Sequence, residues 1–146
     1  MIIDLMLMEG SVKEHGSYSF EWREDLLILS LSGAFNDIAI RTFFKQVLAS
    51  VVGSGRTRWV LLSRLDRKMI GTPAVFDIIK NAYCWGEENG CVGAAISGAN
   101  VVVDRMFSEF FKGISYPTQL FDFEQDAIHW LNGVYENNLD TDLFVE

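Results

Sequence analysis

The last third of the chain alternates twice between a buried-strand pattern and a helix pattern at close spacing. Cys91-Val92-Gly93-Ala94-Ala95-Ile96 is a short apolar run of small residues, closed by Ser97-Gly98. Val102, Arg105, Met106 and Phe110 then recur at helical intervals, and Thr118-Gln119-Leu120-Phe121 reads as a strand. A final helix is expected from about Glu124 to Asn132, with Ile128 and Leu131 on one face. Strand, helix, strand, helix in roughly 45 residues requires crossover units on a largely parallel sheet.

Earlier segments fit the same plan. Tyr18, Phe20 and Trp22 alternate with Ser19 and Glu21, the period-two pattern of a half-exposed strand from Ser17 to Trp22. Leu26 to Leu31 is nearly all apolar, as expected of a strand covered on both faces, and Arg23-Glu24-Asp25 supplies a polar turn between the two. Asn36 or Asp37 can cap a helix whose stripe is Ile40, Phe44, Val47, Leu48 and Val51, ended by Gly53-Ser54-Gly55. That glycine pair follows a helix, whereas a phosphate cradle follows a strand and opens a helix.

Trp59-Val60-Leu61-Leu62 is the next strand, followed by a polar loop, Ser63 to Lys68. In Gly71-Thr72-Pro73, the Thr72 hydroxyl can cap a helix and Pro73 suits its first position, where an N–H would have no partner. That helix carries Phe76, Ile79, Ala82 and Tyr83, and Asn89-Gly90 turns the chain into the strand at Cys91. The order β-β-α-β-α-β-α-β-α predicts an α/β domain: a mixed, largely parallel β-sheet with helices packed mainly on one face. Residues 1–15 form an apolar N-terminal segment, expected as an edge strand or a homodimer contact. Residues 16–133 form the domain, and 134–146 an acidic tail.

Composition limits the partners. The 146 residues are 49% hydrophobic, which is ordinary for one globular domain. The net charge of −8 argues against nucleic acid and anionic membrane surfaces, both of which reward clustered Lys and Arg. Glu136, Asp140, Asp142 and Glu146 place half of that charge in the tail. Arg56, Arg58, Arg64, Arg67 and Lys68 form a local basic cluster, with Asp66 among them. Met1 to Met8 is apolar but lacks a basic flank and is too short to span a bilayer. With Cys84 and Cys91 its only thiols, the chain reads as a cytoplasmic protein of bacterial type, without disulfides.

Reactive chemistry finds little support. His15, His129 and the two cysteines lack metal-ligand spacing, so no metal or other cofactor is expected. Gly-x-Ser-x-Gly is absent, and Asp77, Asp104, Glu109, Asp122 and Asp126 fall singly on helix surfaces or caps. The chain is therefore expected not to be an enzyme. Aromatic residues exceed the needs of one stripe: Phe107, Phe110 and Phe111 on one helix, and Trp130 on the last. Adjacent Phe110 and Phe111 sit about 100° apart around a helix, so both need not face the sheet. They form either a wide core contact, or, with Trp130, an apolar groove for a lipid-like small molecule or a dimer contact.

The chain resembles the STAS domain family, most closely its SpoIIAA-like branch, also called STAS/SEC14-like. Leu26 to Gly33, Trp59 to Thr72, and Ala94 to Ser97 through Val103 to Phe107 carry the likeness. Ala127-Ile128-His129-Trp130-Leu131 matches an Ala-x-x-Trp-Leu ending common in that branch, so the likeness covers about residues 16–133. The resemblance implies a non-catalytic regulatory or protein-binding module in bacterial signalling. Kinase-switched antagonists of the family carry Asp-Ser-Ser-Gly, with the second Ser phosphorylated, where this chain has Ile70-Gly71-Thr72-Pro73. Thr72 is thus the candidate phospho-switch, although the acidic residue and the glycine are missing. A phosphate there would meet the positive end of a helix. The implied protein contact is the face of Arg64, Arg67, Lys68, Gly71, Thr72, Pro73 and Phe76.

Overall fold

The computed structural model describes residues 15–145, with side chains to residue 137. The expected contact made by the N-terminal segment lies outside the described residues, apart from His15. Strands β1 (Ser17–Arg23) and β2 (Leu26–Ser32) form the predicted antiparallel hairpin, with Ser17 opposite Ser32 and Arg23 opposite Leu26. Its two-residue turn holds Glu24 at φ 53°, the left-handed conformation that matches the twist of paired strands.

Every later principal strand joins in parallel through a helical crossover. After α1 (Asp37–Ser54), β4 (Trp59–Leu65) lies beside β2. After α2 (Pro73–Glu88), β6 (Cys91–Ser97) lies beside β4, and after α3 (Val101–Phe111), β7 (Thr118–Phe121) lies beside β6. The sheet order is β1-β2-β4-β6-β7, and α4 (Glu124–Val145) closes the chain. Two short strands absent from the expected order, β3 (Ala34–Phe35) and β5 (Ile70–Gly71), pair in parallel beside the main sheet. They brace the loops that lead into α1 and α2.

Local chemistry fixes the helix starts. Asn36 caps α1 by accepting from the Ala39 N–H at 2.9 Å, and Asn100 caps α3 through the Val103 N–H at 2.9 Å. Thr72 caps α2, and Pro73 occupies its first turn. Gly55, at φ 68°, ends α1 in the left-handed conformation that favours glycine.

The two faces of the sheet are filled unequally. Helices α1, α2 and α3 bury Phe43, Phe44, Phe76, Tyr83 and Phe107 against the inward residues of β2, β4 and β6. Among the described residues, helix α4 alone covers the other face, with Ala127 and Leu131 on Ile28, Leu62 and Ala95. The predicted one-sided packing therefore holds for three helices of the four in the described residues.

Two sequence expectations need correction, and one alternative is decided. Strand β4 continues to Leu65, into what reads as loop, because Ser63 and Leu65 point into the core and the Ser63 hydroxyl pairs with Tyr83. Of the two readings of Phe110 and Phe111, the wide core contact holds: both are buried, at 7% and 8% exposure, with their rings against Tyr83 of α2. Helix α4 runs past Asn132 and takes the acidic tail into its last turns. Asn132-Gly133 looks like a stop, but Tyr135 beyond it donates to Asp25 at 2.5 Å and stacks under Arg58.

Candidate interaction site

The parallel strands all end on one side of the molecule, and the loops there carry the residues predicted to make contact. Strand β4 leaves the sheet at Leu65, and Asp66 accepts from the Lys68 N–H at 3.0 Å and from Ser32. Asn100 reaches across from α3 and donates to the carbonyls of Arg67 and Met69, each at 3.0 Å. Met69 is fully buried beneath the loop, and the Ile70 N–H bonds the Gly33 carbonyl. A loop whose polar backbone groups are taken up this way presents its side chains in a fixed arrangement. Gly71 must be small, because a Cβ there would lie 2.7 Å from a Val75 methyl.

Arg67, Lys68, Thr72 and Pro73 are exposed on this end. The Thr72 oxygen accepts from the Val75 N–H at 3.4 Å, so its hydroxyl stands at the first turn of α2 within reach of solvent. Phe76 lies behind them, buried edge-on against Phe107 at 5.8 Å. Between α2 and α3 a cleft of about 450 Å³ opens beside Pro73, floored by Phe76 and Phe110 and rimmed by Asp77, Lys80, Arg105 and Glu109.

Arg64 does not join this group. Alternation along β4 sends Ser63 and Leu65 toward α1–α3 and Arg64 to the opposite face. There its guanidinium donates to Ser30 at 2.9 and 3.1 Å and to Glu124 of α4 at 2.5 Å. Arg64 joins α4 to the sheet. The basic cluster of the sequence is likewise scattered: Arg56 and Arg58 lie at the start of β4, and Arg67 and Lys68 beyond its end.

The predicted apolar-ligand group also separates. Phe107, Phe110 and Phe111 are packed within the α1–α3 layer, while Trp130 lies across the sheet on α4, 5.7 Å from Phe121. The sheet lies between the three phenylalanines and Trp130. An apolar groove of about 360 Å³ does exist between α1 and α2, lined by Phe44, Leu48, Ile78, Ala82 and Trp85, with Arg41 and Lys45 at its rim.

Sequence reasoning missed the apolar rim. Among the described residues, the exposed large apolar ones are Ile38, Val52, Ile70, Val101, Val102 and Phe123, between 39% and 69% accessible. All but Val52 sit where a helix begins after a strand ends. The run Val101-Val102-Val103 held the signal, since one turn of helix can turn only part of it inward; Val103 alone is buried.

Three of the perturbed groups lie together in the core. Burial pushes the Cys91 thiol up to about 12, and burial likewise raises Tyr83 and Tyr116. The Tyr116 hydroxyl donates to the Tyr83 carbonyl, so these are groups held neutral inside a packed network. Among the described residues no three His, Cys, Asp or Glu converge on a point that could hold a metal. No described helix is long and apolar enough to cross a membrane.

No family model matches the chain, and no curated protein does. Solved structures do. An uncharacterized protein of the DUF3478 family with a SpoIIAA-like fold, from Shewanella loihica PV-4, superposes with a TM-score of 0.62 at 13% identity. That match covers 81% of this chain and 94% of the other. The anti-sigma factor antagonist SpoIIAA in its unphosphorylated form gives 0.60 at 12% identity, covering 80% and 99%. An anti-sigma factor antagonist from Mycobacterium paratuberculosis gives 0.55 at 18%, covering 81% and 95%.

The chain has the SpoIIAA-like fold. The identities are low, so the likeness establishes architecture. Within the SpoIIAA-like architecture, the start of α2 follows the third principal strand, and here Thr72 and Pro73 occupy it.

Proposed function

We propose that this protein is a non-catalytic SpoIIAA-like module that works by binding a protein partner at the end of the sheet where α2 and α3 begin. The observation that carries the reading is the placement of exposed apolar side chains. Ile38, Ile70, Val101 and Val102 lie at the starts of α1, α2 and α3, the end of the sheet that also carries Thr72 and Pro73, and Asn100 and the β3–β5 pair hold the loops there in place. Exposed apolar residues scattered singly need no explanation, but a set gathered on one end beside basic Arg67 and Lys68 is what a protein interface uses. Solved structures of this fold that carry the name anti-sigma factor antagonist support a regulatory role. Thr72 remains the residue at which phosphorylation would act, because its hydroxyl is exposed at the positive end of α2.

Affinity capture with the purified chain, repeated with two variants, tests the reading. Ile70→Glu at the rim is expected to lose the captured partner, whereas Val52→Glu at the far end of α1 keeps it. Equal capture by both would remove the rim from the interface. Phosphate incorporation in cell extract, abolished by Thr72→Ala, would support the switch; undiminished incorporation would discard it.

A second reading has one specific observation behind it. The α1–α2 groove combines an apolar lining with Arg41 and Lys45, the chemistry that suits a small apolar molecule with an acidic head. Native mass spectrometry of the purified protein decides it. A co-purifying mass that Leu48→Glu eliminates favours the groove, and the bare polypeptide mass counts against it.

A further inference from the structure

We propose that α4 is a strap that leaves the sheet as one unit while the rest of the domain stays folded, uncovering the apolar face beneath it. The helices of the described residues are not built alike. Side-chain acceptors cap the first three, at Asn36, Thr72 and Asn100, whereas α4 follows Phe123, which has none. Gly133 lies inside α4, where glycine is the poorest helix former after proline. The last turn of α4 holds no basic residue to offset the negative end of the helix, and Asp140 and Asp142 lie close to that end. A helix of this composition takes its order from packing.

That packing is thin. Helix α1 buries six residues, α2 five and α3 four, whereas α4 buries only Ala127 and Leu131 among its described side chains. Polar clasps sit toward either end of the contact: Glu124 with Arg64, and Tyr135 with Asp25 and Arg58. The side chains of the first pair are 34% and 36% exposed, and ion pairs so open to solvent contribute little. Beside the second clasp, Val134 rests on the backbone of β6 at Gly93, where a Cβ would lie 2.6 Å from its Cγ1 methyl. The sheet also separates α4 from the larger core, to which no described residue of α4 belongs. Departure of α4 therefore leaves that core closed. It bares Ile28, Leu62 and Ala95, all fully buried in the closed state, and leaves Arg64 held by Ser30.

Amide hydrogen exchange of the full chain, read residue by residue by NMR, is the test. Amides from Ala127 to Asn137 are expected to exchange through one common opening, about tenfold faster than the slowest amides of β2 and β4. Two glycine variants move that opening in opposite directions. A Cβ at Gly133 meets nothing within 4 Å, so Gly133→Ala strengthens the helix without disturbing its seat. It should slow the whole stretch about fivefold, Ala127 included, although that residue is more than a turn away. Gly93→Ala pushes on Val134, whose side chain keeps one preferred rotamer in a helix, so the helix has to give. Exchange over α4 should then quicken about tenfold while β2 and β4 remain the slower. Should Gly93→Ala fail to fold, Gly133→Ala decides alone. Exchange of α4 in step with the strands overturns the inference, because the helix then leaves only when the domain unfolds. A Gly133→Ala effect confined to the adjacent turn overturns it equally, since that is fraying and not the departure of a unit.

Discussion

The two ends of β4 carry the same kinds of residue and use them in opposite ways. At its start, Arg56 lies 3.9 Å over the Trp22 ring and pairs with Asp25 at 3.2 Å. Arg58 lies 3.8 Å over Tyr135 and donates to that residue's carbonyl, and Tyr135 in turn donates to Asp25. The Trp59 indole N–H donates to the Asn89 carbonyl at 2.9 Å. Cations and aromatic rings there satisfy one another and fasten the hairpin, α4 and the α2–β6 turn to the sheet. Beyond the other end, Arg67 and Lys68 stand exposed beside Ile70, Val101 and Val102, on loops held by backbone bonds and the Asn100 side chain. An end fastened through side chains has none to spare for a partner. An end fastened through its backbone keeps them available.

Removing an anchor at the closed end should produce the largest loss. Trp59 is almost fully buried, packs edge-on to Trp22 and fills space beside Gly86. Trp59→Ala is expected to cost about 3–5 kcal/mol, read as a fall in the urea midpoint at unchanged slope. A loss near that of a surface substitution would mean that this end is not what fastens the sheet.

Tyr135→Phe should come next, with a cost of about 1 kcal/mol at neutral pH from the hydrogen bond to Asp25. Its pH dependence sharpens the point. The Asp25 bond is the main cause holding the Tyr135 hydroxyl above its ordinary value, with burial adding to it. A pKa raised on folding gives stability that is fully present below the unfolded tyrosine value of about 10 and is lost as pH rises beyond it. Tyr83 and Tyr116 share that behaviour through burial, so alkaline destabilisation should persist in Tyr135→Phe but be shallower than in the wild type. Denaturant titrations from neutral to alkaline pH give the comparison, and parallel curves would remove Tyr135 from the account.

What the sequence disclosed follows from how far each signal travels. Strand periodicity and the cap chemistry of Asn36 and Thr72-Pro73 act within a few residues, and each is found where expected. Which face a side chain takes depends on where its strand lies among the others. Arg64 therefore looked like a member of the Arg67–Thr72 face, yet one step of pleat turns it toward Glu124, distant in sequence. Trp130 and Phe110 read as one aromatic set, and the sheet separates them. The short β3–β5 pair has too few residues to leave a pattern at all. The apolar rim was legible only once Val103 was known to take the inward position at the start of α3.

The smallest effects on stability belong to the open end, where binding and stability should come apart. Thr72→Ala removes a cap and should cost about 1 kcal/mol, which Thr72→Ser restores. Ile70→Ser exchanges an exposed apolar side chain for a small polar one and should change stability by no more than about 0.5 kcal/mol. If the rim is an interface, that nearly silent change should weaken partner binding more than Thr72→Ser does, although the two leave the folded chain about equally stable. The pair of variants, compared by urea unfolding and by binding, asks whether exposed apolar surface or the cap hydroxyl carries recognition. Full binding by Ile70→Ser, with Thr72→Ala alone defective, would assign recognition to the helix start and leave the apolar rim without a role.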